Sequence, residues 1–199
     1  MLTHLDAGEV SSRLKATAFK FVGVVSFERR ATAWLNHLVS VGSRPAEALL
    51  FDYDTIADPI EDDRQLRSDC RADFIQLLGT TSTALLSNTN AFAINTLRSA
   101  MTHELEGGRF SAIVFDITCM TRVHLFATVG VALRLREKGC DVQFLYSAAT
   151  GYGFHRQDLQ GWRDVLFVSA SGVSSPDAEP RRFGIISAGH DGERLRTYP

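Results

Sequence analysis

The chain has 199 residues, 45% hydrophobic and 22% charged, which is enough to bury one sizeable core and short for two full domains. A formal net charge of −2 provides no global basic field to draw it onto long nucleic acid or an anionic membrane. Cys70, Cys119 and Cys140 are far apart and unpaired in spacing, so neither a disulfide framework nor a zinc site is indicated, and a reducing cytoplasm is the expected compartment. Residues 1–9 lack an apolar core, so no secretory leader is expected. The longest apolar run, residues 123–133, is too short to span a bilayer and reads as a buried helix.

Residues 1–18 form an N-terminal extension to a single domain covering residues 1–199. Residues 20–26 (Lys-Phe-Val-Gly-Val-Val-Ser) are apolar almost throughout and predict a central strand. Residues 28–41 predict a helix, with Ala31, Trp34, Leu35, Leu38 and Val41 at helical spacing and Gly42 placed to end it. Residues 46–53 predict a second strand running into the acidic turn Asp52-Tyr53-Asp54. A charged amphipathic helix over residues 62–78 stops at Gly79; the polar stretch 80–90 separates it from another helix over residues 91–105. Residues 112–118 predict a strand, and the buried helix after it ends in Arg134, Arg136 and Lys138, with Gly139 as its cap. Further strands are expected over residues 141–146, 164–169 and 183–188, the last two separated by a surface loop at residues 171–182. Strands alternating with helices predict an α/β, Rossmann-like, mostly parallel sheet with helices on both faces, closing with short C-terminal strands. The chain shows no internal repeat and no low-complexity tract.

The heptapeptide Asp116-Ile117-Thr118-Cys119-Met120-Thr121-Arg122 carries the strongest functional signal. It sits where a buried strand ends and a helix begins, the edge at which open α/β sheets bind ligands. Strand ends at Ser26-Phe27-Glu28-Arg29-Arg30, at Asp52-Tyr53-Asp54-Thr55 and at Tyr146-Ser147 belong on the same rim of a parallel sheet. Hydroxyls and guanidinium groups at helix N-termini suit phosphate, ribose or carboxylate oxygens. The candidate ligand-binding set is therefore Ser26, Glu28, Arg29, Asp116, Thr118, Arg122 and Tyr146. The plainer alternative makes Ser26 and Thr118 or Thr121 helix caps, and Asp116 a tie for a neighbouring loop.

The pattern Asp-x-Ser/Thr-x-x-x-Arg/Lys after a core strand, filled here by Asp116, Thr118 and Arg122, resembles a signature of the CRISPR-associated Rossmann fold (CARF) domains and the related SAVED sensors. The strand with Gly23 and the turn Ser26-Phe27-Glu28-Arg29-Arg30 also looks similar to the first ligand-contacting loop of such folds. The resemblance implies a sensor for cyclic oligonucleotides in bacterial antiviral defence, commonly with two domains facing each other across the ligand. On that reading Arg122 and Arg29 neutralise phosphate, Thr118 and Ser26 bind phosphate or ribose oxygens, and Asp116 orients the loop or accepts from the ligand. CARF proteins usually carry a fused effector, and nothing after Tyr146 reads as one: the chain has no Arg-x-x-x-x-His ribonuclease signature in a helical tail. The expected partners are thus a nucleotide ligand and either a second copy or a separate effector subunit, with no membrane. The alternatives are a regulatory subunit docking such an effector and a metal-independent ring nuclease with Ser26 or Thr118 holding the reacting phosphate.

Leu49-Leu50-Phe51-Asp52-Tyr53-Asp54-Thr55 looks like the nucleophile motif of haloacid dehalogenase-type phosphatases, and residues 84–88 mimic that family's second motif. The glycine before the threonine is missing, however, and no lysine lies between Lys20 and Lys138. The six histidines show no HxH or HxxxH spacing, so no metal site and no cofactor is expected; His124 is expected as a satisfied core or interface histidine. Cys119 lies near a helix N-terminus, but its alternation with Thr118 predicts burial rather than nucleophilic chemistry. The Gly-flanked residues 151–156 could offer aromatics and a base to a nucleobase, or form an ordinary loop.

Overall fold

A computed structural model describes residues 6–53, 61–87, 89, 92–106 and 110–148. The chain divides after Thr150, and all the described residues lie in the unit Met1–Thr150. The strands expected over residues 164–169 and 183–188, the loop at 171–182, the glycine-flanked segment 151–156 and Asp54 lie outside the described residues.

Among the described residues five parallel strands form one sheet in the order β3-β2-β1-β4-β5. They are β1 (Phe19–Val25), β2 (Glu47–Asp52), β3 (Ser82–Leu86), β4 (Ala112–Asp116) and β5 (Asp141–Leu145). Every residue of β1 is buried, as a central strand covered on both faces requires. Gly23 belongs to its packing: a Cβ there would meet the Phe21 ring at 2.7 Å, so glycine lets that ring lie along the strand.

Among the described residues five helices flank the sheet in two layers, α1 (Ala7–Lys15), α2 (Ala33–Ser40), α3 (Glu61–Leu78), α4 (Ile94–Glu106) and α5 (Arg122–Glu137). Leu14 of α1, Leu35 and Leu38 of α2, and Cys70, Phe74 and Leu78 of α3 pack on one face against Phe21, Leu50 and Val114. Leu97, Met101 and Leu105 of α4 and Ala127, Val131 and Leu135 of α5 pack on the other, against Val22, Phe51 and Phe115. The four-residue steps within these sets are the apolar stripe of a core-facing helix. Helices on both faces of an all-parallel sheet make this a Rossmann-like α/β fold.

Two elements depart from the expected order. Residues 6–15, expected as part of an extension, contain α1, opened by a reciprocal capping box between Asp6 and Glu9. The polar stretch after Gly79 contains β3, which among the described residues pairs with β2 alone and leaves Ser82, Thr83 and Leu85 exposed. An edge strand with a wet side lacks the apolar run that betrays an inner strand. The helix expected from Glu28 begins instead as a 3-10 turn, Arg29–Thr32, before α2. Gly79 and Gly139 follow α3 and α5 at φ +58° and +86°, the left-handed conformation that a helix terminus accepts most easily from glycine.

Buried Lys20 opens β1 and donates from Nζ to the carbonyl of Glu104 in the last turn of α4 at 2.8 Å, while pairing with Glu47 at 3.2 Å. A cation at a helix C-terminus satisfies carbonyls that have no partner within the helix. This contact ties β1 and β2 to α4 at the opposite end of the sheet from the candidate site.

Candidate functional site

The strand order reverses between β1 and β4: β2 and β3 lie to one side, β5 to the other. The chain leaves β1 toward the α2 layer and leaves β4 toward the α5 layer, so the two exits diverge at the carboxyl edge, the place where a doubly wound sheet has its crevice. Ser26 to Arg30 forms one lip, Ile117 to Arg122 forms the other, and Tyr146-Ser147 follows β5 beside them.

The β4 lip is held by its own side chains. Asp116 is 3% exposed, and its Oδ1 accepts from Thr118 N–H at 3.0 Å, an Asx-type turn that reverses the chain. Thr118 is also buried, and its Oγ1 accepts from Ser147 N–H at 3.0 Å, stitching the loop to the exit of β5. Ile117 N–H continues the ladder to the Leu145 carbonyl at 2.9 Å. From the side of β2, the Tyr53 hydroxyl donates to the Cys119 carbonyl at 3.1 Å and accepts from Thr121 N–H at 2.9 Å. Five residues are thus fixed from three strands.

The β1 lip is built the same way. Ser26 is buried, and its Oγ accepts from Glu28 N–H at 3.2 Å. Arg30 donates from Nε to Glu28 at 2.6 Å and from Nη1 to the Ser147 carbonyl at 3.0 Å, bridging the two outer lips. Its guanidinium is held more firmly in the charged form, chiefly by Glu28 and also by a hydrogen bond with Tyr146. Burial pushes the Asp116 carboxyl up to about 6, against the opposing pull of hydrogen bonds from Thr118 and the charge of Arg30. Asp116 Oδ2 is buried and meets no donor among the described residues. Cys119, half-buried against Ser26, Glu28 and Arg30, has its thiol pushed up to about 12 by desolvation and the nearby carboxylates. A thiol so far from ionising is no nucleophile.

Behind these lips lies a closed polar chain. The Thr121 hydroxyl meets His124 Nδ1 at 2.7 Å, His124 Nε2 meets the Thr89 hydroxyl at 3.0 Å, and Thr89 Oγ1 donates to the Asp52 carbonyl at 3.3 Å. Because Thr89 gives its proton to Asp52, it accepts from Nε2–H; Nδ1 then accepts from Thr121, which fixes the neutral tautomer. Desolvation lowers the His124 pKa to about 4, so the ring is neutral at physiological pH. His124 is the satisfied core histidine that its place in the helix leads one to expect.

The structure gathers Ser26, Glu28, Asp116, Thr118 and Tyr146 around this crevice, and it changes what several of them do. Asp116, Thr118 and Ser26 are at most 6% exposed and serve backbone N–H groups. Arg29 is exposed on the α2–α3 side, where it lines a surface groove of about 490 Å³ with Thr32, Asn36 and Asp73. The arginine that reaches the cluster is Arg30, one residue on. Arg122 is exposed at the first residue of α5 and forms no ion pair among the described residues. Its helix is capped by Thr121 and has no acidic residue in the first turn. Phe27 and Tyr146 add 43% and 51% exposed aromatic surface at the exits of β1 and β5.

Asp52, the residue resembling a phosphatase nucleophile, is 2% exposed and ion-paired with Arg71 of α3. Among the described residues no group of three or more histidines, cysteines or acids is placed to hold a metal ion, and no helix is long and apolar enough to cross a membrane. No protein-family model matches the chain, and no curated protein matches it.

Proposed function

We propose that the β1/β4 edge binds a nucleotide-type ligand, in its most specific form a cyclic oligonucleotide second messenger, and that the domain serves as a sensor in antiviral defence. The observation that carries this reading is the start of α5. A 16-residue helix begins at the switch point with no acid in its first turn and an exposed arginine as its first residue. A cation there sits at the positive end of the helix dipole, an unfavourable place unless an anion joins it. In this reading Arg122 and the free N–H groups of the first turn receive phosphate. Phe27 and Tyr146 offer faces on which bases stack. Ser26, Asp116 and Thr118 shape the two lips and do not touch the ligand. With both hydroxyls buried, binding rather than phosphodiester cleavage is the activity favoured here.

Isothermal titration of the full chain with a panel of cyclic and linear nucleotides tests the proposal. Binding is expected, and Arg122→Ala should weaken it about tenfold, the equivalent of one charge-assisted hydrogen bond of about 1.5 kcal/mol. Arg29→Ala, on the other side of the lip, should leave affinity nearly unchanged. Absence of heat with every nucleotide, or equal affinity in Arg122→Ala, overturns it.

A further inference from the structure

Arg29, which the nucleotide reading leaves aside, borders a groove in the layer on the opposite face of the sheet from α5. The groove runs along the seam between α3 and the segment formed by the 3-10 turn and α2. Its main part holds about 490 Å³ and an adjoining part about 330 Å³, within the range of small-molecule sites. Each wall is one helical face. Asp69, Asp73 and Gln76 recur at steps of four and three along α3; Arg29, Thr32 and Asn36 recur at three and four along the facing segment.

The charges on the two walls are opposite in sign and do not meet. Arg29 and Asp73 line both parts of the groove, yet neither forms an ion pair among the described residues. Asp69, one turn from Asp73 on the same face, accepts from Gln65 at 2.8 Å and has no cation among them either. Between the walls the floor is apolar, made by half-buried Leu66 and Leu77 and buried Cys70. Both ends of that floor are held: Arg44 donates to the Leu77 carbonyl at 3.0 Å, and the Cys70 sulfur accepts from the backbone N–H of Ser26. A simple anion in this groove would meet Asp69 and Asp73, and a simple cation would meet Arg29. A molecule that carries both charges meets neither conflict.

We propose that this groove binds a free amino acid, its carboxylate on Arg29, its ammonium on Asp73 and Asp69, and its side chain along the apolar floor. Thr32, Asn36 and Gln76 supply a hydroxyl and two amides at the rim for its remaining polar groups. The groove is open and its charges are exposed, so binding is weak, on the order of millimolar. None of the groups assigned to the nucleotide takes part.

Amide NMR of the isotope-labelled full chain, titrated with the standard amino acids to about 20 mM each, reads this residue by residue. At least one amino acid is expected to shift the amides of residues 29–36 and 69–77 along a saturable curve. Its N-acetyl derivative lacks the ammonium and its carboxamide lacks the carboxylate; each should bind at least about fivefold more weakly. Arg29→Ala should cost about fivefold in affinity, and Asp73→Lys, which sets a second cation in the groove, should abolish saturation. Both side chains are exposed, so the variants keep the fold, and unchanged spectra away from the groove check this. Arg136→Ala, an exposed arginine of the other layer, should leave binding as it was. Absence of a saturable shift with every amino acid, undiminished binding of either derivative, or unchanged affinity in either groove variant overturns the proposal. No nucleotide enters the titration, so failure here and failure of the nucleotide reading are separate results.

Discussion

Strands β2 and β4 each end in a buried aspartate, Asp52 and Asp116, at 2% and 3% exposure, and each acid has one oxygen without a donor among the described residues. The two are neutralised differently. Asp52 faces the guanidinium of Arg71 across the gap to α3. Burial raises the Asp116 pKa, and the N–H of Thr118 on its bonded oxygen and the more distant charge of Arg30 offset that rise only in part. A buried acid at a strand end is therefore ambiguous by itself. The partner opposite it decides whether it is a closed ion pair or a carboxyl poised near its titration point.

The largest effect is expected at the closed pair. Arg71→Met leaves Asp52 buried without its cation, which should cost about 2 kcal/mol, less than the 3–5 kcal/mol of a wholly buried pair because Arg71 itself is 44% exposed. Adding Asp52→Asn in the same chain should return most of that loss. Urea titrations of the single and double variants read this directly. An additive cycle would mean that the two groups do not depend on each other, and the contrast with Asp116 would collapse.

Asp116 should behave in the opposite way. Its folded pKa of about 6 lies above the ordinary 3.8, so its contribution to stability is fully present below pH 3.8 and disappears as pH rises through 6. Asp116→Asn keeps an acceptor for Thr118 N–H and removes the buried charge. It should therefore be more stable than the parent by about 1–2 kcal/mol at pH 7.5, with the advantage shrinking to nothing near pH 4. The difference between the two chains is the quantity to follow, because His124 works in the reverse sense. Its pKa of about 4 lies below the ordinary 6.5, so the stability it supplies is present above pH 6.5 and lost as pH falls through 4. A pH-independent difference would sink the assignment to Asp116.

How much of this was legible in the sequence follows from what each signal measures. Apolar runs report burial, and burial is what β1, β2, β4 and the inward faces of α3, α4 and α5 share. β3 carries a wet side at the sheet edge and gave no such run; α1 was announced only by Asp6 and Glu9, a three-residue capping signal that is easily passed over. The place of the heptapeptide at a strand-to-helix junction is legible, since a run of apolar residues ends there and β4 stops at Asp116 before α5 begins at Arg122. Composition could not tell which of its polar groups would turn inward. Asp116 and Thr118 point to backbone N–H groups, Arg122 to solvent, and the difference lies in turn geometry rather than residue type. The choice between Arg29 and Arg30 depended on the phase of a 3-10 turn, where adjacent side chains diverge by about a third of a circle.

Tyr53 is the residue that links the two regions, and in the sequence it is only a position between two acids. It leaves β2 beside Asp52 yet serves the lip after β4 through both its lone pair and its proton. Burial raises its hydroxyl pKa to about 12, so it stays protonated and able to donate throughout the physiological range. Tyr53→Phe removes both bonds while preserving the ring against His124, whose centroid lies 4.7 Å away. Thr121 is exposed, so water can take its N–H, and the stability cost should stay at about 1 kcal/mol. The larger consequence should be local. With the Cys119 carbonyl and Thr121 N–H released, amide hydrogen exchange from Thr118 to Arg122 should accelerate at least about tenfold, while Asp52 and its Arg71 pair remain protected. Equal acceleration at both strand ends would show one cooperative edge instead of two separately built ones.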